Sequence, residues 1–192
     1  MADAGISAHK EQEPEAAKSP PVQTPEQPHP ASGQRFLCAI DGSEGSKAAF
    51  KFLLEKMVVA ERGDSIVLFE ACKQLSREPM EPESRFYPDL IFINDLQRKM
   101  VQEEEERRSR QQLQKLGELA SAINVPCEVV VATGDPREVI PKFISEHPVE
   151  IVAVGSRGLG PMQRLFLGSV SSHLVHHLSV PVLVVSPPRA KP

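Results

Sequence analysis

Five short apolar runs punctuate the chain, at residues 36–40, 66–69, 126–131, 151–154 and 182–185. Each is a nearly continuous block, not an alternation, which is the pattern of strands buried on both faces of a parallel sheet. Between them the apolar positions recur at helical spacing. Ser43 reads as an N-cap, and Ala49, Phe52, Leu53, Met57 and Ala60 form one stripe that ends at Gly63 and Asp64. Leu113, Leu116, Ala120 and Ile123 form the core face of a second helix. Val139, Ile140, Phe143 and Ile144 form that of a third, stopped by Pro148. That third helix opens on Gly134-Asp135-Pro136-Arg137-Glu138, where Asp135 is the N-cap, Pro136 the first helical residue and Glu138 the closing partner of a capping box. A last helix follows Ser169 and runs to Pro181.

Strand and helix therefore alternate, and each crossover helix implies parallel strands wound right-handedly. The pattern predicts an α/β, doubly wound five-stranded parallel sheet with helices on both faces. It lapses twice. Residues 73–95, interrupted by Pro79, Pro82 and Pro88, form an irregular insertion, read either as a lid or as a patch (Phe86, Tyr87, Ile91) that packs on the body. Residues 1–33 carry Pro14, Pro20, Pro21, Pro25, Pro28 and Pro30 among polar residues and cannot bury enough surface to offset their ordering entropy. They read as a disordered Pro-rich tail, whose Ser19-Pro20 and Thr24-Pro25 pairs are read either as proline-directed kinase sites or as incidental linker sequence. Residues 34–187 make the folded domain and 188–192 a short tail.

Composition narrows the classes. At 192 residues, 40% hydrophobic and 25% charged, the chain supports one well-buried domain. A formal net charge of -4 and a pI near 5.9 argue against a nucleic-acid or anionic-membrane partner held by bulk charge. No apolar run approaches the roughly 20 residues that span a bilayer, and the N-terminal residues lack the apolar region of a secretory signal. The three cysteines, Cys38, Cys72 and Cys127, lack metal-ligand spacing, and the plain expectation is a reduced, cytoplasmic chain. The run 102–110 places Glu103, Glu104 and Glu106 four residues before Arg107, Arg108 and Arg110, a solvated helical face laced by ion pairs.

The candidate chemistry lies in the glycine-rich stretch 155–169, between the fourth strand and the last helix. Gly155 turns the chain off the strand, Gly158 and Gly160 allow close backbone approach, and Gly168 and Ser169 put free N–H groups at a helix N-terminus. That is a phosphate cradle. Arg157 and Arg164 either neutralise phosphate charge or stand as surface arginines without a role. Asp41 ends the first strand, where a carboxylate can accept from a ribose hydroxyl or a base amino group.

The spacing Gly155-x2-Gly158-x9-Gly168-Ser169, with residues 36–43, Gly134-Asp135-Pro136 and residues 181–185, resembles the universal stress protein family in its ATP-binding branch. The resemblance covers nearly all of the chain beyond residue 34. It implies the strand order 3-2-1-4-5, a crevice between the carboxyl ends of strands one and four, and ATP, with or without Mg²⁺, as the ligand. Base contacts would fall on Asp41 and Ala71, and ribose and phosphate contacts on Gly155, Gly158, Gly168, Ser169 and Val170. Gly134 would sit near the crevice as well as shaping its turn. Where the family usually carries His then Val, this chain has Glu70 and Ala71, a smaller contact and an extra carboxylate.

Function divides between classes. A universal stress protein that holds an adenine nucleotide with slow or no turnover, as a regulatory or stress-response protein, is one reading. An ATP-hydrolysing or phosphoryl-transferring enzyme on the same fold is another, and a protein-interaction module without nucleotide a third. The absence of a phosphate-loop lysine and of a Ser-His-Asp or Cys-His set favours the first, with no catalytic residue assigned. Asp41 and Asp135 could hold Mg²⁺, though no spacing requires it. His173 and His177 share a helix face, but a helix packed by its apolar side with histidines at the margin is the commoner case, and no metal site is assigned. Val182, Leu183, Val184 and Val185 would form an uncharged sheet edge, which invites a homodimer.

Overall fold

The apolar runs become strands β1 (Arg35–Ala39), β2 (Ser65–Cys72), β3 (Cys127–Thr133), β4 (Ile151–Gly155) and β5 (Val182–Val185). The helices are α1 (Glu44–Phe52), α2 (Asp95–Ser121), α3 (Pro136–Glu146) and α4 (Ser169–His177). The computed structural model describes residues 33–74, 95–156 and 167–187. All strand pairs are parallel, in the order β3-β2-β1-β4-β5.

Because neighbouring side chains on a strand face opposite sides, the continuous apolar runs feed two cores. Phe36, Cys38, Ile66, Leu68 and Ala153 meet Ala49 and Phe50 of α1 and Leu113 and Ala120 of α2. Leu37, Val67, Phe69, Val152 and Val154 meet Ile140 of α3 and Leu174 of α4. Each fully buried aliphatic or aromatic side chain contributes about 1.5–3 kcal/mol, so the sheet interior is the main source of stability.

The first helix departs from its expected stripe. It stays α-helical only to Phe52, widens to a π turn over Leu53–Met57, and passes through extended residues into a 3-10 turn over Ala60–Arg62. A π turn adds a residue per turn and shifts the buried face. Before that turn, in regular α-helix, Phe50 falls on the buried face with Ser46, Ala49 and Leu53 at 2% exposure, while Phe52 is 37% exposed; after it, Ala60 lies outside the helix. Ile123 likewise falls beyond α2 and is exposed, because the chain turns through Asn124 at φ 59°. Of the expected ion-pair ladder of α2, Glu104–Arg108 forms, and the other partners differ. Arg107 and Arg108 both pair with Glu104, and Lys99 with Glu103. Glu106 instead turns inward and accepts from Thr133 Oγ1 at 2.6 Å.

The amino edge of the sheet is closed by Asp64, a buried carboxylate. It accepts from Gln34 N–H at 2.8 Å, Val59 N–H at 2.9 Å and Arg62 Nε at 2.7 Å. Gly33, grouped by composition with the tail, packs into this knot, since a Cβ there would lie 1.9 Å from the Gly63 carbonyl oxygen. The site lies at the opposite, carboxyl edge.

Candidate functional site

Where β1 ends, the backbone of Ile40 still donates to Phe69 of β2 (2.8 Å), and Asp41 emerges beyond it, exposed. Asp41 Oδ1 accepts from Ser43 N–H at 3.0 Å, and Gly42 supplies the left-handed residue of the turn at φ 78°. Ser43 caps α1 as expected, its Oγ accepting from Ser46 N–H at 3.2 Å. These local bonds present one face of the Asp41 carboxylate outward at the strand's end.

The end of β4 meets the start of α1 without any space between them. A Cβ on Gly155 would lie 2.6 Å from the carbonyl carbon of Gly45 and 2.7 Å from Ser46 N. Gly155 remains in the ladder opposite Val185, so it does not turn the chain off the strand as its position suggested. Its missing side chain admits the first turn of α1. That contact joins the two walls of the switch point, since β1 and β4 are adjacent while their helices leave to opposite faces.

Ser156, which the motif did not single out, ties the far wall together. Its N–H donates to Val185 O at 2.7 Å and its carbonyl accepts from Gly168 N–H at 2.8 Å. Its hydroxyl accepts from Ser186 Oγ at 3.0 Å. Ser156 and Gly168, which lie on either side of residues 157–166, are thereby bonded to each other. The positions Arg157, Gly158, Gly160 and Arg164 lie within that segment, outside the described residues.

Gly168 is the N-cap of α4, with φ -62° and ψ 158°, and its own N–H is spent on Ser156. The first intrahelical bond runs from Ser172 N–H to Gly168 O. Ser169, Val170 and Ser171 therefore precede the first bonded turn and carry the N–H groups that a helix start offers to an anion. Ser169 is exposed and Val170 half-buried.

Ala71 lies in β2, half-buried, opposite Ala132 and packed on the α3 and α4 side. Its neighbour Glu70 faces the other side, where Oε1 accepts from Ser109 Oγ of α2 at 3.0 Å. Burial pushes the Glu70 carboxyl above its ordinary range; the Ser109 bond opposes that rise and the charge of Asp41 adds to it. Two carboxylates thus stand near the β1 and β2 ends, Glu70 on the α2 side.

The Gly134 turn is structural as its sequence suggested in Gly134, the Asp135 cap and Pro136 at the first helical position. The Asp135 carboxylate takes the Arg137 N–H, however, and among the described residues no bond runs from Asp135 N–H to the Glu138 side chain to close a capping box. Gly134 sits at φ 142°, where a Cβ would also lie 2.8 Å from Val139, and Asp135 caps α3. Asp135 takes Arg137 as its partner, accepting from its N–H at 2.8 Å and its Nε at 3.0 Å. The Arg137 guanidinium holds the Asp135 carboxyl at about 2, its N–H assisting. His173 and His177 stack, ring centroids 4.0 Å apart, and His177 Nδ1 lies 2.8 Å from His173 O. Among the described residues, no set of three His, Cys, Asp or Glu is placed to hold a metal ion, and no helix is long and apolar enough to cross a membrane.

Comparison with known proteins agrees on one family. The model of the universal stress protein family matches residues 33–186. Universal stress protein Sll1388 of Synechocystis is 27% identical over 151 residues, covering 79% of this chain and 96% of its own. Universal stress protein UspA from Lactobacillus plantarum superposes with a TM-score of 0.62 at 18% identity, over 81% of this chain and 99% of that one. A universal stress protein family protein from Arabidopsis thaliana, solved with AMP bound, superposes with a TM-score of 0.54 at 22% identity, over 81% of this chain and 92% of its own.

Proposed function

The chain belongs to the universal stress protein family, and from that premise we propose that it binds an adenine nucleotide, ATP foremost, as a regulatory or stress-response protein with slow or no turnover. One observation carries the reading. At the switch point between β1 and β4, the Asp41 carboxylate stands on one wall and the bare first turn of α4 on the other. A nucleotide has the matching polarity, hydroxyl and amino donors at the nucleoside end and anionic oxygens at the other. Asp41 and the β2 end at Ala71 would take the nucleoside. Gly155, Gly158, Gly168, Ser169 and Val170 would line the ribose and phosphates, with Ser169 and Val170 donating their N–H groups.

The fit is favourable at the phosphate end because the helix start offers several N–H donors and no side-chain cap occupies them. Arg157 and Arg164 would neutralise phosphate charge, and Mg²⁺ would bind through phosphate oxygens and water. The relative from Arabidopsis thaliana solved with AMP supports the choice of an adenine ligand. We further propose a cytoplasmic protein that forms a homodimer through the outer edge of β5.

The test begins with freshly purified protein. Denaturation and chromatography should release adenine nucleotide, and calorimetry should give heat with ATP. Asp41→Ala should weaken ATP about ten- to a hundredfold, the loss of a hydrogen bond from the nucleoside to a charged acceptor, and leave inorganic triphosphate nearly unchanged. Gly168→Val should weaken both. No released nucleotide together with no heat at millimolar ATP would refute the proposal and favour an interaction module. Brisk Mg²⁺-dependent phosphate release, lost in Asp41→Ala at unchanged ATP affinity, would point to the enzyme instead.

A further inference from the structure

The two halves of α2 rest on the sheet by different means. Its second half is anchored by Leu113 and Ala120, both fully buried, and by Gly117, where a Cβ would lie 3.4 Å from Cys127 Sγ. Between Gln97 and Arg110 the only buried side chain is Ser109, while Met100 and Val101 are 62% and 43% exposed. Among the described residues, this first half meets the sheet through polar groups. Ser109 Oγ donates to Glu70 Oε1 at 3.0 Å and lies 3.4 Å from Cys72 Sγ. Thr133 Oγ1 donates to Glu106 Oε1 at 2.6 Å and accepts from Gln102 Nε2 at 3.2 Å. Water replaces such bonds when they open, whereas exposing Leu113 has no comparable compensation. The two halves should therefore differ in opening free energy, as cooperative units within one fold commonly do.

We propose that residues 97–110 of α2 form a flap that opens as a unit about a hinge near Gln111 and Gln112, uncovering the carboxyl ends of β2 and β3 beside the crevice while the rest of the helix stays docked. The device is regulatory because of what it covers. Glu70, held by Ser109, and Ala71, where the nucleoside end of the ligand would lie, face opposite sides of β2 but share its backbone, so a ligand that fixes the β2 end at Ala71 also holds Glu70 in place for the Ser109 bond that closes the flap. That link rests on the nucleotide reading; the opening itself does not.

Two of the protein's own thiols report the motion. Cys72 is buried beneath Ser109, and Cys38 is buried in β1 at the centre of the sheet. Native ligand-free protein would be treated with N-ethylmaleimide, and each cysteine peptide quantified by mass spectrometry alongside amide hydrogen exchange. Cys72 should react at least tenfold faster than Cys38, and protection should step upward near residues 110–112. Ser109→Ala should speed Cys72 about tenfold further, and leave Cys38 unchanged. Equal rates for the two thiols, a Ser109→Ala effect shared by both, or uniform protection along α2 would overturn the flap. ATP should slow Cys72 labelling. Calorimetric ATP binding without that slowing would overturn the link to the crevice, whereas no binding at all would count against the nucleotide reading alone.

Discussion

Gly155→Ala is the sharpest test of how the crevice is built, because one methyl group separates two explanations of this glycine. If the residue served only to let a ligand approach, alanine would leave the ligand-free protein as stable as before. The structure gives the opposite expectation. The new Cβ would fall 2.6 Å from the Gly45 carbonyl carbon, 2.7 Å from Ser46 N and 3.0 Å from Gly45 Cα. All three are backbone atoms, so no side chain can rotate away and α1 itself must lift from β4. That lift would loosen Ala49 and Phe50, which α1 buries against the sheet at 0% and 2% exposure. Overpacking of this kind costs roughly 1–3 kcal/mol. For a domain of this size each kcal/mol lowers Tm by about 2–4 °C, so a drop of about 2–12 °C is expected. Urea unfolding of the ligand-free variant would measure it, with an unchanged m-value showing that the denatured state is not the cause. A loss below about 0.5 kcal/mol, the level of an ordinary surface change, would refute the close approach. ATP affinity should fall as well, since the turn that carries Asp41 leads directly into the displaced helix.

Asp64→Ala should destabilise by about 2–6 kcal/mol, because the N–H groups of Gln34 and Val59 lose a buried acceptor at about 1–3 kcal/mol each. Hydrogen bonds from Arg62, Gln34 and Val59 outweigh burial and hold the Asp64 carboxyl below its ordinary value. Its contribution is therefore complete above the unfolded carboxylate pKa near 4 and is lost as pH falls through the lower folded value, so the variant should show a flatter acid limb in urea titrations. Val184→Lys should turn a β5-paired dimer into monomer by analytical ultracentrifugation, and wild type already monomeric at micromolar concentration would end that proposal. Removing residues 1–32 should leave Tm and ATP binding nearly unchanged, whereas removing Gly33 as well should lower Tm, since Gly33 packs against Gly63.

The division between what the amino-acid pattern determined and what needed three dimensions follows the range of the interactions. Apolar blocks between polar punctuation specified the five strands, because a buried parallel strand excludes water along its whole length. Local hydrogen bonding specified the caps at Ser43 and Asp135, whose partners lie within three residues. The approximate place of the site was legible for the same reason, as a strand-to-helix turn rich in glycine after β4. The reasons for individual residues were not. Gly155 is small because Gly45 and Ser46, more than a hundred residues earlier, press on it. Ser156 matters because Val185, Gly168 and Ser186 converge on its backbone and hydroxyl. Glu106 reads as one more solvated charge until α2 lies across β3 and Thr133 donates to it. Which of two neighbouring phenylalanines faces the sheet, Phe50 or Phe52, was decided by how α1 docks with Ser46 and Ala49 inward. Periodicity registers that a face is buried and turn chemistry registers where an element starts. Which atoms meet across the crevice depends on contacts between distant segments, and only the folded chain brings those together.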